Sequence, residues 1–190
     1  MPPTKKYSKE LLIKTGYNIA QKEGLKAINA RRLAKELGSS VQPIFHNFAN
    51  MEELKEAIFA RIYEKYREYM KTSPNDKKRY KKQGLGYIKF ARDYPEFFKA
   101  IFMKNSNMKA DAFIMADGIG EEIIASGQLL TGFTYEKQKE FHIRVWIFTH
   151  GIACLIATET ITLSDEEISD LLESTVREMM IGFKQGGKDR

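Results

Sequence analysis

Apolar residues recur along this chain at the three- and four-residue spacing of helices, and the alternation typical of strands is almost absent. Turn-forming residues are clustered between these segments, so the pattern predicts an all-α fold of about nine helices. The predicted helices span residues 8–23, 29–37, 41–48, 51–71, 77–93, 95–103, 110–130, 135–159 and 165–185. Ser8 is expected to cap the first helix, and Ser164 with Glu167 forms a capping box at the start of the last helix.

The sharpest succession of stops and starts lies in residues 29–48. Asn29 is expected to cap the second helix and Gly38 to end it. Ser40 is expected to cap the third helix, and Pro43 falls in its first turn, where a missing N–H costs nothing. Two short helices joined by a tight turn with glycine match a helix-turn-helix motif.

The predicted third helix has two chemically different faces. One face is expected to be buried and carries Val41, Ile44, Phe45 and Phe48. The other face can contact base edges or phosphates and carries Gln42, Pro43, His46 and Asn47. A recognition helix of this kind must leave its supporting helix at a steep angle to enter the major groove. By itself the pattern also fits two helices of an ordinary bundle.

The net charge of +6 is unevenly distributed. Residues 1–48 hold nine Lys and Arg but three Glu, whereas the remaining residues hold 22 basic and 22 acidic side chains. A basic end of this kind favours a polyanion partner, with a solvated basic surface as the alternative. Arg31 and Arg32 lie near the start of the second helix, where they can contact phosphates or, in one case, a base.

Residues 28–59, INARRLAKELGSSVQPIFHNFANMEELKEAIF, resemble the DNA-binding region of the TetR family of bacterial one-component regulators. The matching residues are Leu33, Ala34, Gly38, Ser40, Ile44, Phe45, Phe48 and Leu54. Residues 93–102 and 146–159 are similar to a TetR subgroup with a Trp-His-Gly-type signature in its C-terminal domain. The resemblance covers most of the chain and is more specific over residues 28–59 than beyond them.

This resemblance implies a helix-turn-helix DNA-binding domain over residues 1–50 and a larger helical domain for ligand binding and dimerisation over residues 51–190. The expected function is that of a repressor, a homodimer that binds a palindromic DNA operator and is released by a small apolar effector. The expected DNA-binding residues are Lys26, Asn29, Arg31, Arg32, Ser40, Gln42, Pro43, Phe45, His46 and Asn47.

Three positions depart from the family pattern. Phe45 stands where the family usually has Tyr, Met51 where it has Lys, and Ser39 where it has Val. Each lost phosphate contact would flatten the salt dependence of DNA binding by about one charge. Phe45 and Met51 therefore favour the alternative function, an all-helical enzyme or small-molecule-binding module that has lost specific DNA binding.

The middle of the chain is rich in large apolar residues, most of which are expected to form core. The resemblance places a ligand pocket in this domain, and such pockets have a similar lining with a few polar groups. The expected pocket residues are Phe59, Tyr63, Tyr66, Tyr87, Phe98, Phe102, Phe113, Asp117 and His150. A fully packed core without a cavity is the alternative.

The last two predicted helices carry wide apolar stripes that are expected to form the dimer interface. The stripe residues are Phe141, Val145, Phe148 and Ile152 on one helix, and Leu172, Val176, Met179 and Phe183 on the other. Packed against their two-fold mates, these helices would form a four-helix bundle.

We expect no catalytic residue, metal site or cofactor. His142 and His150 are eight residues apart, too far along one helix to share a metal ion. Cys154 lies four residues after His150, but no third group is evident to orient such a pair. The single cysteine, the lack of an apolar leader and the lack of a long apolar run favour a cytoplasmic protein without membrane attachment.

Overall fold

The structure, a computed structural model, describes residues 7–73, 78–104, 108–109, 112, 115 and 118–185. These residues contain nine α-helices, one 3-10 turn and no strand, which confirms the predicted all-α fold. The elements are α1 (Lys9–Glu23), the 3-10 turn (Leu25–Ala27), α2 (Ala30–Leu37), α3 (Gln42–Asn47), α4 (Met51–Met70), α5 (Arg79–Asp93), α6 (Pro95–Phe102), α7 (Ile119–Thr131), α8 (Tyr135–Ala157) and α9 (Asp165–Gln185).

The predicted helix caps form as local chemistry requires. The Ser8 hydroxyl accepts a hydrogen bond from the backbone N–H three residues on, at 3.2 Å. Asn29 accepts one from the Arg32 N–H at 2.9 Å. Ser164 accepts from the Glu167 N–H, and Glu167 accepts from the Ser164 N–H at 2.7 Å, completing the capping box.

One compact unit comprises residues 7–68 and 94–104. Its core contains fully buried side chains from several helices, namely Leu12, Leu33, Ile44, Leu54, Ile58, Phe97 and Phe98. At Gly16 of α1, a Cβ would lie 2.2 Å from Cδ1 of Ile58 on α4, so these helices pack closely. The Tyr17 and Phe97 rings, 4.8 Å apart between centroids, join α1 to α6. The unit therefore extends beyond residue 50, and the functional boundary expected there stays a prediction.

The second compact unit contains residues 69–73, residues 78–93 and the described residues from 108 onwards, with α5, α7, α8 and α9 as its helices. Its buried core residues include Tyr87, Phe90, Ile124, Phe141 and Ala153. Contacts of Tyr80 with His142 and of Tyr87 with His150 show that α5 and α8 run in the same direction. Ion pairs of 2.6 Å, Lys81–Glu173 and Arg92–Asp165, join α9 to α5 in the opposite direction.

The predicted helix over residues 110–130 is not continuous. Gly118 has a φ of 76°, in the left-handed region, and α7 begins directly after it. The apolar pattern runs across Gly118, but a right-handed helix cannot continue through a residue in that conformation. Most of residues 110–117 lie outside the described residues.

No helix in the described part of the chain is both long enough and apolar enough to cross a membrane.

Candidate nucleic-acid interface

The turn between α2 and α3 depends on Gly38. Its φ and ψ of 59° and 38° are left-handed, which a residue without a Cβ adopts at little cost. The N–H groups of Gly38 and Ser39 bond to the carbonyls of Lys35 at 3.2 Å and Ala34 at 3.0 Å. These are the two hydrogen bonds of a Schellman motif, so α2 ends sharply at Leu37 and α3 begins at Gln42.

Helix α3 buries a narrower face than the sequence predicted. Ile44 and Phe48 are buried, but Val41 is 39% exposed and Phe45 is 50% exposed. The prediction that Val41 and Phe45 face the core is therefore wrong. The physical reason is length, because α3 has fewer than two turns, and only Ile44 within it and the capping residue Phe48 after it lie towards the core. Phe45 thus joins Gln42 on the exposed side.

Ser40 does not cap α3. Val41 occupies the capping position with helical backbone angles, and no side chain of the described residues accepts a hydrogen bond there. The neighbouring Ser39 hydroxyl instead donates to the Ser40 carbonyl at 2.9 Å. Pro43 does lie in the first turn, as predicted.

Asn47 and Gln42 have different surroundings. The Asn47 side-chain amide donates to the Tyr7 carbonyl at 3.1 Å and to the Pro43 carbonyl at 2.7 Å. A bidentate contact with adenine needs that same amide as a donor, so these bonds compete with the expected role. Gln42 and His46 are exposed and lie beside each other on the surface turn of α3.

The two arginines of α2 also differ. Arg32 forms 2.7 Å ion pairs with Glu23 at the end of α1 and with Glu36 one turn along α2. The hydrogen bond to Glu23 raises the pKa of Arg32 and lowers the pKa of Glu23. Arg31 is exposed, and the described residues offer it no ion pair. Of these two cations, Arg31 is the one available to a phosphate.

Two further DNA-contact candidates surround the start of α2. Lys26, in the 3-10 turn, is exposed. Asn29 is exposed too, but its side chain caps α2 and also donates to the Ala27 carbonyl at 3.3 Å. Its position therefore has a structural explanation that is independent of DNA.

The junction between α3 and α4 was not predicted from the sequence. Glu53 accepts a 2.6 Å hydrogen bond from the Ala49 N–H, which lowers the pKa of its carboxyl group, and Asn50 accepts one from the Glu53 N–H at 2.9 Å. Lys9 of α1 lies 3.4 Å from Glu53 and 5.0 Å from the Phe48 ring centre. Asn50 and Glu53 have the three-residue spacing of a capping box, and this spacing is a signal in the sequence from which the junction could have been predicted.

Solved structures share this arrangement of helices. A TetR-like transcriptional regulator from Rhodococcus sp. RHA1 has a TM-score of 0.63 and 16% identity, covering 96% of this chain and 99% of that chain. A proposed transcriptional regulator from Pseudomonas aeruginosa PAO1 has a TM-score of 0.64 and 15% identity, covering 93% and 92%. A proposed TetR-family regulator from Rhodococcus sp. has a TM-score of 0.55 and 13% identity, covering 93% and 100%.

The chain has the TetR-like fold. At these identities the likeness concerns the fold. No protein-family model and no curated protein sequence matches the chain. The TetR subgroup with the Trp-His-Gly-type signature stays a prediction.

Within this TetR-like fold, the predicted pocket residues fall into separate groups. The first unit contains a chain of contacting rings, formed by Phe59, Tyr63, Tyr66, Phe102 and Phe98. Neighbouring ring centres in this chain are 5.1 to 6.5 Å apart. Tyr87 and His150 lie in the second unit, and Phe113 and Asp117 lie outside the described residues.

In the second unit, the histidines of α8 are hydrogen-bonded inside the protein. The Tyr80 hydroxyl lies 3.2 Å from Nδ1 of His142, and the Tyr87 hydroxyl lies 2.8 Å from Nδ1 of His150. Burial lowers the pKa of His142 to about 4 and also lowers the pKa of His150. Both rings are therefore neutral near pH 7.

Cys154 lies 3.3 Å from Nε2 of His150, the contact that the sequence spacing allowed. Burial raises the pKa of the Cys154 thiol, which works against the thiolate that a nucleophile requires. Trp146 stacks on the His150 ring at 4.6 Å. These contacts are those of a packed helix interface. In the part of the chain that the structure describes, no three potential metal ligands are gathered at one point.

The predicted dimer residues lie mostly inside the second unit. Phe141, Val145, Ile152 and Leu172 are buried in a single protomer, and the Phe183 ring packs on Phe141 at 5.3 Å. Phe148, Val176 and Met179 are half-buried. Other helices of the same chain cover these four side chains, and their part in a dimer interface stays a prediction. The exposed apolar residues of these helices include Ile147, Leu155, Leu171 and Ile181.

Proposed function

We propose that this chain is a DNA-binding transcription regulator whose recognition helix is α3. The observation that carries the proposal is the exposed face of α3, where Gln42, Phe45 and His46 stand beside the Gly38 turn. This face lies in the segment that holds all of the excess positive charge. The TetR-like fold, which regulators share, supports the same function.

The side chains on this face divide into two kinds of contact. Gln42 can read adenine through its amide, and Phe45 can pack on a thymine methyl group. Arg31, Lys26 and His46 are suited to phosphates, which position a protein on DNA without reading its sequence. Arg32 and Asn47 position the helices through their contacts within the chain.

The functional unit in this proposal is a homodimer on a palindromic operator. Two copies of α3 must reach successive major grooves about 34–36 Å apart, and a two-fold axis meets that requirement. The regulator acts as a repressor and is released when a small molecule binds the second unit. Such a ligand works by favouring one of two dimer geometries over the other.

Binding to DNA from upstream of the chain's own gene, measured by fluorescence polarisation, tests the proposal. Gln42→Ala is expected to weaken binding to the specific duplex about 5- to 150-fold and to leave random duplex binding nearly unchanged. Gln21→Ala, at an exposed position of α1 outside α2 and α3, is the matched control. Equal losses on both duplexes would contradict base reading by Gln42.

The competing function is a small-molecule-binding module without specific DNA binding. Phe45 and Met51 favour it, because neither supplies the phosphate contact that the family usually has at these positions. If the wild-type protein binds every duplex equally weakly across a range of salt concentrations, this second function replaces the first.

A further inference from the structure

A cavity of about 390 Å³ lies in the second unit between α5, α8 and α9. This volume is within the range of about 300–1,000 Å³ that is typical of small-molecule sites. None of the seven described members of the predicted pocket lines it. Its apolar wall is formed by Tyr80, Gly84, Val145, Leu172, Val176 and Met180.

The interior of this cavity is suited to an apolar group. The Tyr80 hydroxyl is turned to His142, and the Thr149 hydroxyl donates to the Val145 carbonyl at 2.8 Å. Both polar groups of the wall are thus engaged within the protein, and an unpaired polar group of a ligand would be costly there. Gly84 leaves room, since even a Cβ at this position would only touch Leu172, at 3.5 Å.

Charged side chains line the same cavity on its solvent side. Lys78, Lys81 and Arg177 are three cations, and Glu173 is the one carboxylate among the lining residues. Lys81 pairs with Glu173 at 2.6 Å and, with Arg177 and Lys78, lowers the pKa of that carboxyl group. Arg177 forms no ion pair with a described residue, so it adds positive charge to the mouth beyond the Lys81–Glu173 pair, and this charge favours an anion.

We propose that this cavity binds an amphipathic organic acid, whose apolar body fills the space between α5, α8 and α9 and whose anionic group lies beside Arg177 and Lys81 at the mouth. The sequence predicts an apolar effector bound by a different set of residues. The cavity proposed here would instead select a ligand that has both a hydrocarbon body and a negative charge. Its part in regulation rests on the proposed function, whereas binding itself does not require DNA.

Isothermal titration of the full-length protein with linear carboxylates of six to twelve carbons, below their micelle concentrations, tests the site. Saturable binding of one molecule per chain is expected, tightening about 2- to 4-fold per added methylene until the cavity is full. Decanoate is expected to bind more tightly than decanol, and decylamine is expected to bind most weakly, because the mouth is positive.

Two pairs of variants locate the bound molecule. Val176→Phe and Gly84→Val each place more side chain in the cavity, and each is expected to weaken decanoate binding at least about 10-fold. Arg177→Gln is expected to weaken decanoate about 2- to 5-fold and to leave decanol unchanged. Lys184→Gln removes an exposed cation from the same helix outside the cavity and is expected to change neither. Circular dichroism and thermal melting confirm that each variant is folded.

Three results would overturn the proposal. These are the absence of saturable decanoate binding, equal affinity for decanoate and decanol, and decanoate binding that both folded cavity-filling variants leave unchanged. Each is measured without DNA, so none bears on the DNA-binding face of α3. Conversely, if the protein binds carboxylates as expected but binds no duplex, that result would refute the proposed function and would still support this ligand site.

Discussion

Arg31 and Arg32 are adjacent in sequence, yet only one of them lies free at the surface of α2. Arg32 is held by Glu36, which a four-residue spacing makes predictable, and by Glu23, which belongs to another helix. The second contact depends on how α1 and α2 pack. The sequence therefore predicted a DNA contact for each arginine, whereas the structure engages Arg32 within the protein.

The salt dependence of DNA binding separates the two arginines. Arg31→Gln is expected to lower the slope of log K against log salt concentration by about 0.9 on any duplex, because one phosphate contact is lost. Arg32→Gln is expected to leave the slope unchanged, since its charge is already balanced within the protein. Polarisation titrations at four salt concentrations measure both slopes, and equal reductions would contradict this assignment.

A buried histidine makes the protein sensitive to acid. The pKa of His142 is about 4 in the folded protein, below its ordinary value of 6.5, and its Nε2 atom finds no partner among the described residues. The unfolded chain therefore binds a proton more readily between these values. Protonation of His142 in the unfolded chain does not affect stability above about pH 7.5, and between about pH 7.5 and about pH 5 it is expected to lower the free energy of unfolding by about 2 kcal/mol.

Urea unfolding of wild-type protein and of His142→Gln at these two pH values measures that contribution. Other groups titrate equally in both proteins, so the difference between the two isolates residue 142. His142→Gln is expected to lose less stability on acidification than the wild type. An identical loss in both proteins would show that His142 does not control the acid response.

At the level of helices, local chemistry was predictable and packing partners were not. The Ser8, Asn29 and Ser164 caps and the Gly38 turn each depend on residues within a few positions of one another. The orientation of Phe45 and Phe141 depends on which helix covers which face, and spacing alone does not determine that. The stripe through Phe141 is apolar as predicted, and within the protomer it packs against helices of the same chain.

Two glycines of α5 give a direct test of helix packing. A Cβ at Gly86 would lie 2.3 Å from the backbone carbonyl oxygen of Tyr69, near the end of α4. Gly86→Ala is therefore expected to destabilise the protein by about 1–3 kcal/mol, because backbone must move. Gly84→Ala is expected to be neutral or stabilising by up to about 1 kcal/mol, since its Cβ makes an ordinary contact and alanine favours the helix.

Thermal and urea unfolding of the two alanine variants, side by side, measure this difference. Helix propensity and exposure to solvent change in the same direction in both variants, so the close approach of Tyr69 to Gly86 is what distinguishes them. Equal stabilities would mean that the backbone at Tyr69 can move away from Gly86 without a loss of free energy of unfolding.

For the whole molecule, the proposed function requires two copies of α3 and therefore a dimer. The buried stripe of Phe141 and Ile152 supports the protomer itself, which leaves the opposite sides of α8 and α9 for a partner. Ile147 is 54% exposed and Leu155 is 42% exposed, two turns apart on one side of α8. Exposed apolar residues in such a row favour a helix-to-helix interface.

Sedimentation of charged variants tests this face. Ile147→Glu and Leu155→Glu are expected to convert a wild-type dimer into a folded monomer at micromolar concentration, because a carboxylate would be buried without a partner. Leu129→Glu, at a residue of α7 that is 90% exposed, is the control and is expected to stay dimeric. Phe141→Ala is expected instead to lower stability by about 3–5 kcal/mol, since that ring is core.

The monomeric variants should also lose specific operator binding, because a single α3 reads only one half-site. A wild-type monomer with full operator affinity would refute both the interface and the need for a dimer.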